Sequence, residues 1–106
     1  MPIRFYVPAA ALAAAALLGS ASAFGQQDVQ ARYLAATCAS CHGTDGHSAG
    51  GDGMPGLAGL SRTYMIEQMN AFRSGERKAT IMNQLAKGYT EEQIAQLAEF
   101  FSRQRK

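Results

Sequence analysis

The sequence predicts an all-α domain with long loops. Three observations lead there. Apolar residues recur at helical spacing in three separate segments, residues suited to helix ends flank those segments, and no run alternates with the period of a strand. A sharp change to Gly, Asp, Ser and Ala between the first two segments marks the long loop.

The first 23 residues read as an export leader rather than as part of the domain. Met1 and Arg4 precede an uninterrupted apolar run from Val7 to Leu18, and Ala21 and Ala23 fill the small-residue positions of a cleavage site, so cleavage is expected after Ala23. The run falls short of the roughly 20 apolar residues that cross a bilayer, and Pro8 sits inside it. No second apolar run follows, which predicts a product without a membrane span.

Residues 24–106 are then one domain. A first helix is expected over Asp28–Ala39, capped by Asp28, with Val29, Tyr33, Leu34 and Thr37 at helical spacing. The stretch GTDGHSAGGDGMPGLAG, from Gly43 to Gly59, cannot hold a helix; a loop of that length in so small a domain is expected to wrap around something. A second helix is expected over Ser61–Ser74, with Ser61 as its N-cap, Gly75 as its stop and an apolar face of Tyr64, Met65, Met69 and Phe72. Ala79–Lys87 is ambiguous between a short helix and irregular chain. Thr90-Glu91-Glu92-Gln93 forms a capping box for the last helix. That helix is expected to bury Ile94, Leu97 and Phe100 or Phe101, and to set Arg103, Arg105 and Lys106 against its negative end.

Composition narrows the possible partners and the source of stability. The formal net charge is only +2, with no basic stripe for nucleic acid and no basic amphipathic helix for a membrane surface. A domain of this size draws little stability from its own apolar core, and the chain has no Trp and only two cysteines. A prosthetic group would fill the deficit.

Both cysteines fall within one helical turn, in CASCHG at residues 38–43. A disulfide between Cys38 and Cys41 would close too small a ring to restrain the unfolded chain much. A thioredoxin-like pair needs a preceding strand and a βαβ setting, neither of which is visible. Zinc would require a spacer of about a dozen residues before a histidine pair, whereas His42 abuts Cys41, even though His47 follows at a finger-like interval. Haem accounts for every feature. Two thiols one turn apart form thioethers to the porphyrin vinyl groups, and the next residue offers its imidazole to the iron.

The sixth ligand separates electron transfer from ligand binding or catalysis at an open iron. His47 and Met54 follow His42 too closely to reach the opposite face. Met65 and Met69 form an i, i+4 stripe of the kind that packs a core. Met82, in ATIMNQLAKG, lies beyond the second helix and is the methionine expected over the iron. Pro55, in the loop after the motif, is the expected source of the carbonyl that accepts from the other ring nitrogen of His42.

Taken together, CASCHG, the following GTDG, PGLAGL, YMIEQMNAFRSGER, ATIMNQLAKG and TEEQIAQLAEFF resemble a class I c-type cytochrome along the whole of residues 24–106. The resemblance implies a small class I cytochrome c fold, with helices packed around one covalently attached haem c and the first and last helices crossing through Leu34 and Phe100 or Phe101. It also implies Cys38 and Cys41 as thioether sites, His42 as proximal ligand, Met82 as distal ligand and Pro55 as the carbonyl behind the histidine. Within the family, the C-terminal stretch is most similar to cytochrome subunits of flavocytochrome c sulfide dehydrogenases, although this chain has a single CxxCH. That implies a periplasmic electron carrier whose redox partner is a flavoprotein, with a free-standing shuttle as the alternative. Arg73, Arg77, Lys78 and Lys87 bracket Met82 and could steer an acidic partner.

Overall fold

The structure is a computed structural model and describes residues 1–5, 25–50 and 54–106. Most of the expected leader, with its cleavage site, lies outside the described residues. The architecture is helical, with no strand among the described residues. Helix α1 covers residues 25–36, α2 Ala39–His42, α3 Arg62–Ser74, α4 Met82–Ala86 and α5 Glu91–Ser102; a 3-10 turn occupies Thr44–Gly46. No described helix is long and apolar enough to cross a membrane.

Helix α1 departs from the expected Asp28–Ala39. It already includes residues 25–27, so Asp28 is not its cap, and it stops before Thr37. There the pattern tightens: Thr37 N–H donates to Leu34 O at 3.2 Å and Cys38 N–H to Ala35 O at 3.0 Å. These i→i−3 bonds close the helix in a 3-10 manner and re-aim the chain before the cysteine motif.

The expectations for α3 and α5 hold at their ends. Ser61 Oγ accepts from Tyr64 N–H at 3.1 Å, and Gly75 ends α3 at φ 81°, a left-handed position suited to glycine. Thr90 Oγ1 accepts from Gln93 N–H at 3.1 Å while Gln93 Oε1 accepts from Thr90 N–H at 2.9 Å, a complete capping box. At the far end of α5 the basic residues begin at the C-cap, Arg103, rather than within the last turn. Helix α5 stops at Ser102, and the Arg103 guanidinium meets Glu99 at 2.8 Å and Asp28 at 3.5 Å. Asp28 therefore serves as a partner of α5, an exposed pairing of small energetic value.

The core lies where α1, α3 and α5 meet. Ala35, Met65, Leu97, Ala98 and Phe101 form one buried cluster, with Leu34, Ile66 and Phe100 packed at its edge. Helices α1 and α5 run in opposite senses: Asp28 near the start of α1 meets Arg103 beyond α5, and Thr37 beyond α1 meets Tyr89 ahead of α5. Of the expected crossing contacts, Phe101 is buried in the cluster and Leu34 and Phe100 sit at its rim, while small Ala35 and Ala98 let the backbones approach. Val29 and Tyr33, expected on the inner face of α1, are 53% and 76% exposed. On α3, Met65 is buried but Tyr64 is 44% exposed.

The glycine-rich loop is latched onto this core. Gly46 O accepts from Leu57 N–H at 2.8 Å and Ala58 N–H at 3.1 Å, and Gly59 N–H donates to Phe101 O at 2.9 Å. Gly46 is itself buried at φ 80°, and a Cβ there would lie 2.8 Å from Ala58 N and 2.9 Å from the Phe101 ring.

Gly75 shares the positive φ but has open space around it, so the pair separates backbone strain from collision. Gly75→Ala is expected to cost about 1–2 kcal/mol in denaturant unfolding, the price of a left-handed alanine. Gly46→Ala should cost a further 1–3 kcal/mol, roughly, from overpacking. Equal losses at the two sites would contradict the latch.

A candidate haem-attachment site

The turn from Cys38 to His42 is built by one carbonyl. Cys38 O accepts from both Cys41 N–H at 3.3 Å and His42 N–H at 2.9 Å, and Gly43 N–H closes α2 onto Ala39 O at 2.9 Å. Residues 38 and 41 thereby stand three apart on one helical turn, with both thiols free and His42 at the end of the turn. Cys38 is half-buried and Cys41 exposed.

Burial pushes the Cys38 thiol pKa above its usual 9.0, with the Thr37 hydroxyl opposing the shift and Cys41 adding to it. A raised pKa leaves little thiolate near neutrality. That is the reverse of the activated, low-pKa cysteine of a disulfide oxidoreductase. The zinc alternative loses its second histidine. His47 faces Thr44 O through Nδ1 at 3.2 Å and Arg105 O through Nε2 at 2.5 Å, and no group of three potential ligands clusters among the described residues.

His42 has a different environment. Its Nδ1–H donates to Pro55 O at 2.7 Å, and among the described residues this is the ring's one hydrogen bond, which leaves Nε2 as the free donor atom. The bond selects the tautomer and fixes the ring plane. Met54 precedes that carbonyl and is 39% exposed, while Met65 is 7% exposed within the core cluster. Met69 is half-buried on α3. Met82 opens α4, half-buried, on an element that packs against α3; no side-chain hydrogen bond joins it to the cysteine motif among the described residues.

Two contacts carry no signal in the spacing of the sequence. The Thr37 hydroxyl donates to Leu34 O at 2.7 Å, so at 2.9 Å its oxygen accepts from Tyr89 O–H, tying the residue before Cys38 to the segment between α4 and α5. Asn83, beside Met82, bonds three backbone groups, Phe72 O in the last turn of α3 and Arg77 O and Ala79 N–H in the α3–α4 connection. Arg77, expected as a steering charge, donates to Gln68 Oε1 at 2.6 Å and lies 4.7 Å over the Phe72 ring.

The family model for cytochrome c matches residues 26–104, nearly the whole helical domain. This chain belongs to the cytochrome c family. It is 43% identical over 68 residues to the cytochrome subunit of sulfide dehydrogenase of Chlorobaculum tepidum, a match covering 64% of this chain and 60% of that protein. It is 41% identical over 71 residues to cytochrome c-554(548) of Halomonas halodenitrificans, covering 64% of this chain and 84% of that one. A thiosulfate dehydrogenase electron acceptor of Stutzerimonas stutzeri is 35% identical over 95 residues, covering 86% of this chain but 44% of the relative. The chain thus spans less than two thirds of the first of these relatives and less than half of the last.

Residues 26–104 are a cytochrome c domain, a family that holds haem c covalently, and the sequence offers one CxxCH for it, Cys38 to His42. The donor set fits that group: two unpaired thiols on one turn and an imidazole with Nε2 free. Tyr89→Phe is expected to lower the stability of the cytochrome by about 1 kcal/mol in urea unfolding, the usual worth of one hydrogen bond. A loss below a few tenths would show that the link to Thr37 does not persist in solution.

Proposed function

We propose that this cytochrome is a periplasmic one-electron carrier with His42 and Met82 as axial ligands, and that it accepts electrons from a flavoprotein that oxidises sulfide. The observation that carries the ligation is the 2.7 Å bond from His42 Nδ1–H to Pro55 O, which fixes the ring with Nε2 free and supports Pro55 as the carbonyl behind a proximal ligand. Cys38 and Cys41 hold the group by thioethers. Haem supplies a reversible Fe(III)/Fe(II) couple, and a second, sulfur ligand raises its potential.

Met82 is the remaining methionine suited to the other side. Met65 is committed to the core, Met69 follows it by one turn in the same α3 stripe, and Met54 adjoins the carbonyl on the histidine's side. Residues 1–23 serve as the export signal, with cleavage after Ala23, and residues 24–106 form the cytochrome domain. Export suits thioether formation in the periplasm.

The donor assignment follows the similarity to the sulfide dehydrogenase subunit of Chlorobaculum tepidum. Arg73, Lys78 and Lys87 would steer an acidic docking surface toward the Met82 side. A free-standing shuttle is the second reading. It is favoured by the match covering 84% of the Halomonas cytochrome c-554(548), the one of the three whose length this chain nearly spans.

Met82→Ala should keep its haem, bind carbon monoxide in the ferrous state, and lose on the order of 0.1 V of reduction potential, a fraction of the ~0.8 V that axial ligands span. An unchanged potential and continued refusal of carbon monoxide would remove Met82 from the iron. The donor is tested separately. A flavoprotein that co-purifies with the cytochrome should reduce it on addition of sulfide, whereas a cytochrome that elutes alone and stays oxidised with that flavoprotein would favour the shuttle.

A further inference from the structure

We propose that Asn83 is a positioning residue that holds Met82 in place through the backbone of the α3–α4 connection. The inference rests on the ligation proposed for Met82. It starts from a weakness in α4: the helix has five residues, too few to persist by itself, and Ile81 at its N-cap contributes no side-chain hydrogen bond. What holds its first turn must come from elsewhere.

The Asn83 amide supplies it. Nδ2 donates to Phe72 O at 2.9 Å and to Arg77 O at 2.8 Å, while Oδ1 accepts from Ala79 N–H at 2.9 Å. Both amide protons and one acceptor are used, and only this orientation of the amide satisfies all three partners. The partners frame the connection itself. Phe72 O belongs to the last turn of α3, and Arg77 N–H folds back onto Ala71 O at 3.1 Å.

Helix α4 is therefore pinned at both ends, at its start by the Asn83 amide and at its end by Ala86, which is 0% exposed. Met82 is the residue directly before the pin. A neutral thioether brings no charge to hold it on iron, so its residence there depends on where the backbone places its Cα. Loss of the Asn83 bonds frees the first turn of α4 and lets the thioether leave, with the porphyrin still attached through the cysteines.

The test uses the holoprotein and three substitutions. Asn83→Ala should speed carbon monoxide uptake by the ferrous cytochrome about tenfold or more, short of Met82→Ala, and should speed amide exchange at Ala79 by a similar factor through local opening. Ser61→Ala removes the α3 cap and lowers global stability without touching this connection, so its uptake should stay at the wild-type rate. If Asn83→Ala does not fold, Asn83→Asp is measured in its place; it keeps the acceptor for Ala79 but loses both donors and sets a carboxylate against the Phe72 and Arg77 carbonyls, so faster carbon monoxide uptake is the change expected of it.

Wild-type uptake in the Asn83 variant, alongside a Met82→Ala protein that opens, would overturn the positioning role alone. Unchanged exchange at Ala79 in Asn83→Ala would overturn it too. A Met82→Ala protein that still refuses carbon monoxide would overturn the ligation, and the positioning role with it.

Discussion

The hydrogen bond between His42 Nδ1–H and Pro55 O joins the two parts of the molecule on which everything else depends. On one side is a four-residue helix whose geometry is set by the Cys38 carbonyl. On the other is a glycine-rich loop that follows the motif and would have no reason to return to it without this bond and the latch at Gly46. The loop is in turn fastened to α5 through Gly59 and Phe101. A single imidazole thus connects the haem-attachment turn, through backbone hydrogen bonds, to the packed helices.

The helices make a modest core. Phe101 and Ile94 are the largest side chains fully buried among the described residues, and small Ala35 and Ala98 sit where α1 meets α5. Apolar groups such as Tyr33, Ile81 and Leu85 stay exposed. In a domain of this size a covalently held macrocycle contributes apolar surface that side chains would otherwise have to provide.

Much of this was legible in the sequence because the signals are local. Ser61, Gly75 and the Thr90–Gln93 box mark helix ends through bonds spanning a few residues, and CASCHG fixes the spacing of the attachment turn without reference to the rest of the fold. The errors lie where distant contacts override local preference. Asp28 resembles a cap but pairs with Arg103, across the antiparallel approach of α1 and α5. Val29 and Tyr33 have the periodicity of an inner face, yet alanines occupy the crossing, and alanine carries little hydrophobic signal. The amide of Asn83 was invisible for the same reason, since its partners are brought to it only once the connection has folded back on α3.

Covalent attachment at Cys38 and Cys41 is the claim from which the rest follows, and mass spectrometry of the denatured protein tests it most directly. Trypsin should release one peptide from Tyr33 to Arg62 containing both cysteines. In protein purified from cells that mature c-type haem, the account predicts that this peptide carries one haem and that neither cysteine can be alkylated. A haem-free peptide with two alkylated cysteines, or with a Cys38–Cys41 disulfide, would contradict it.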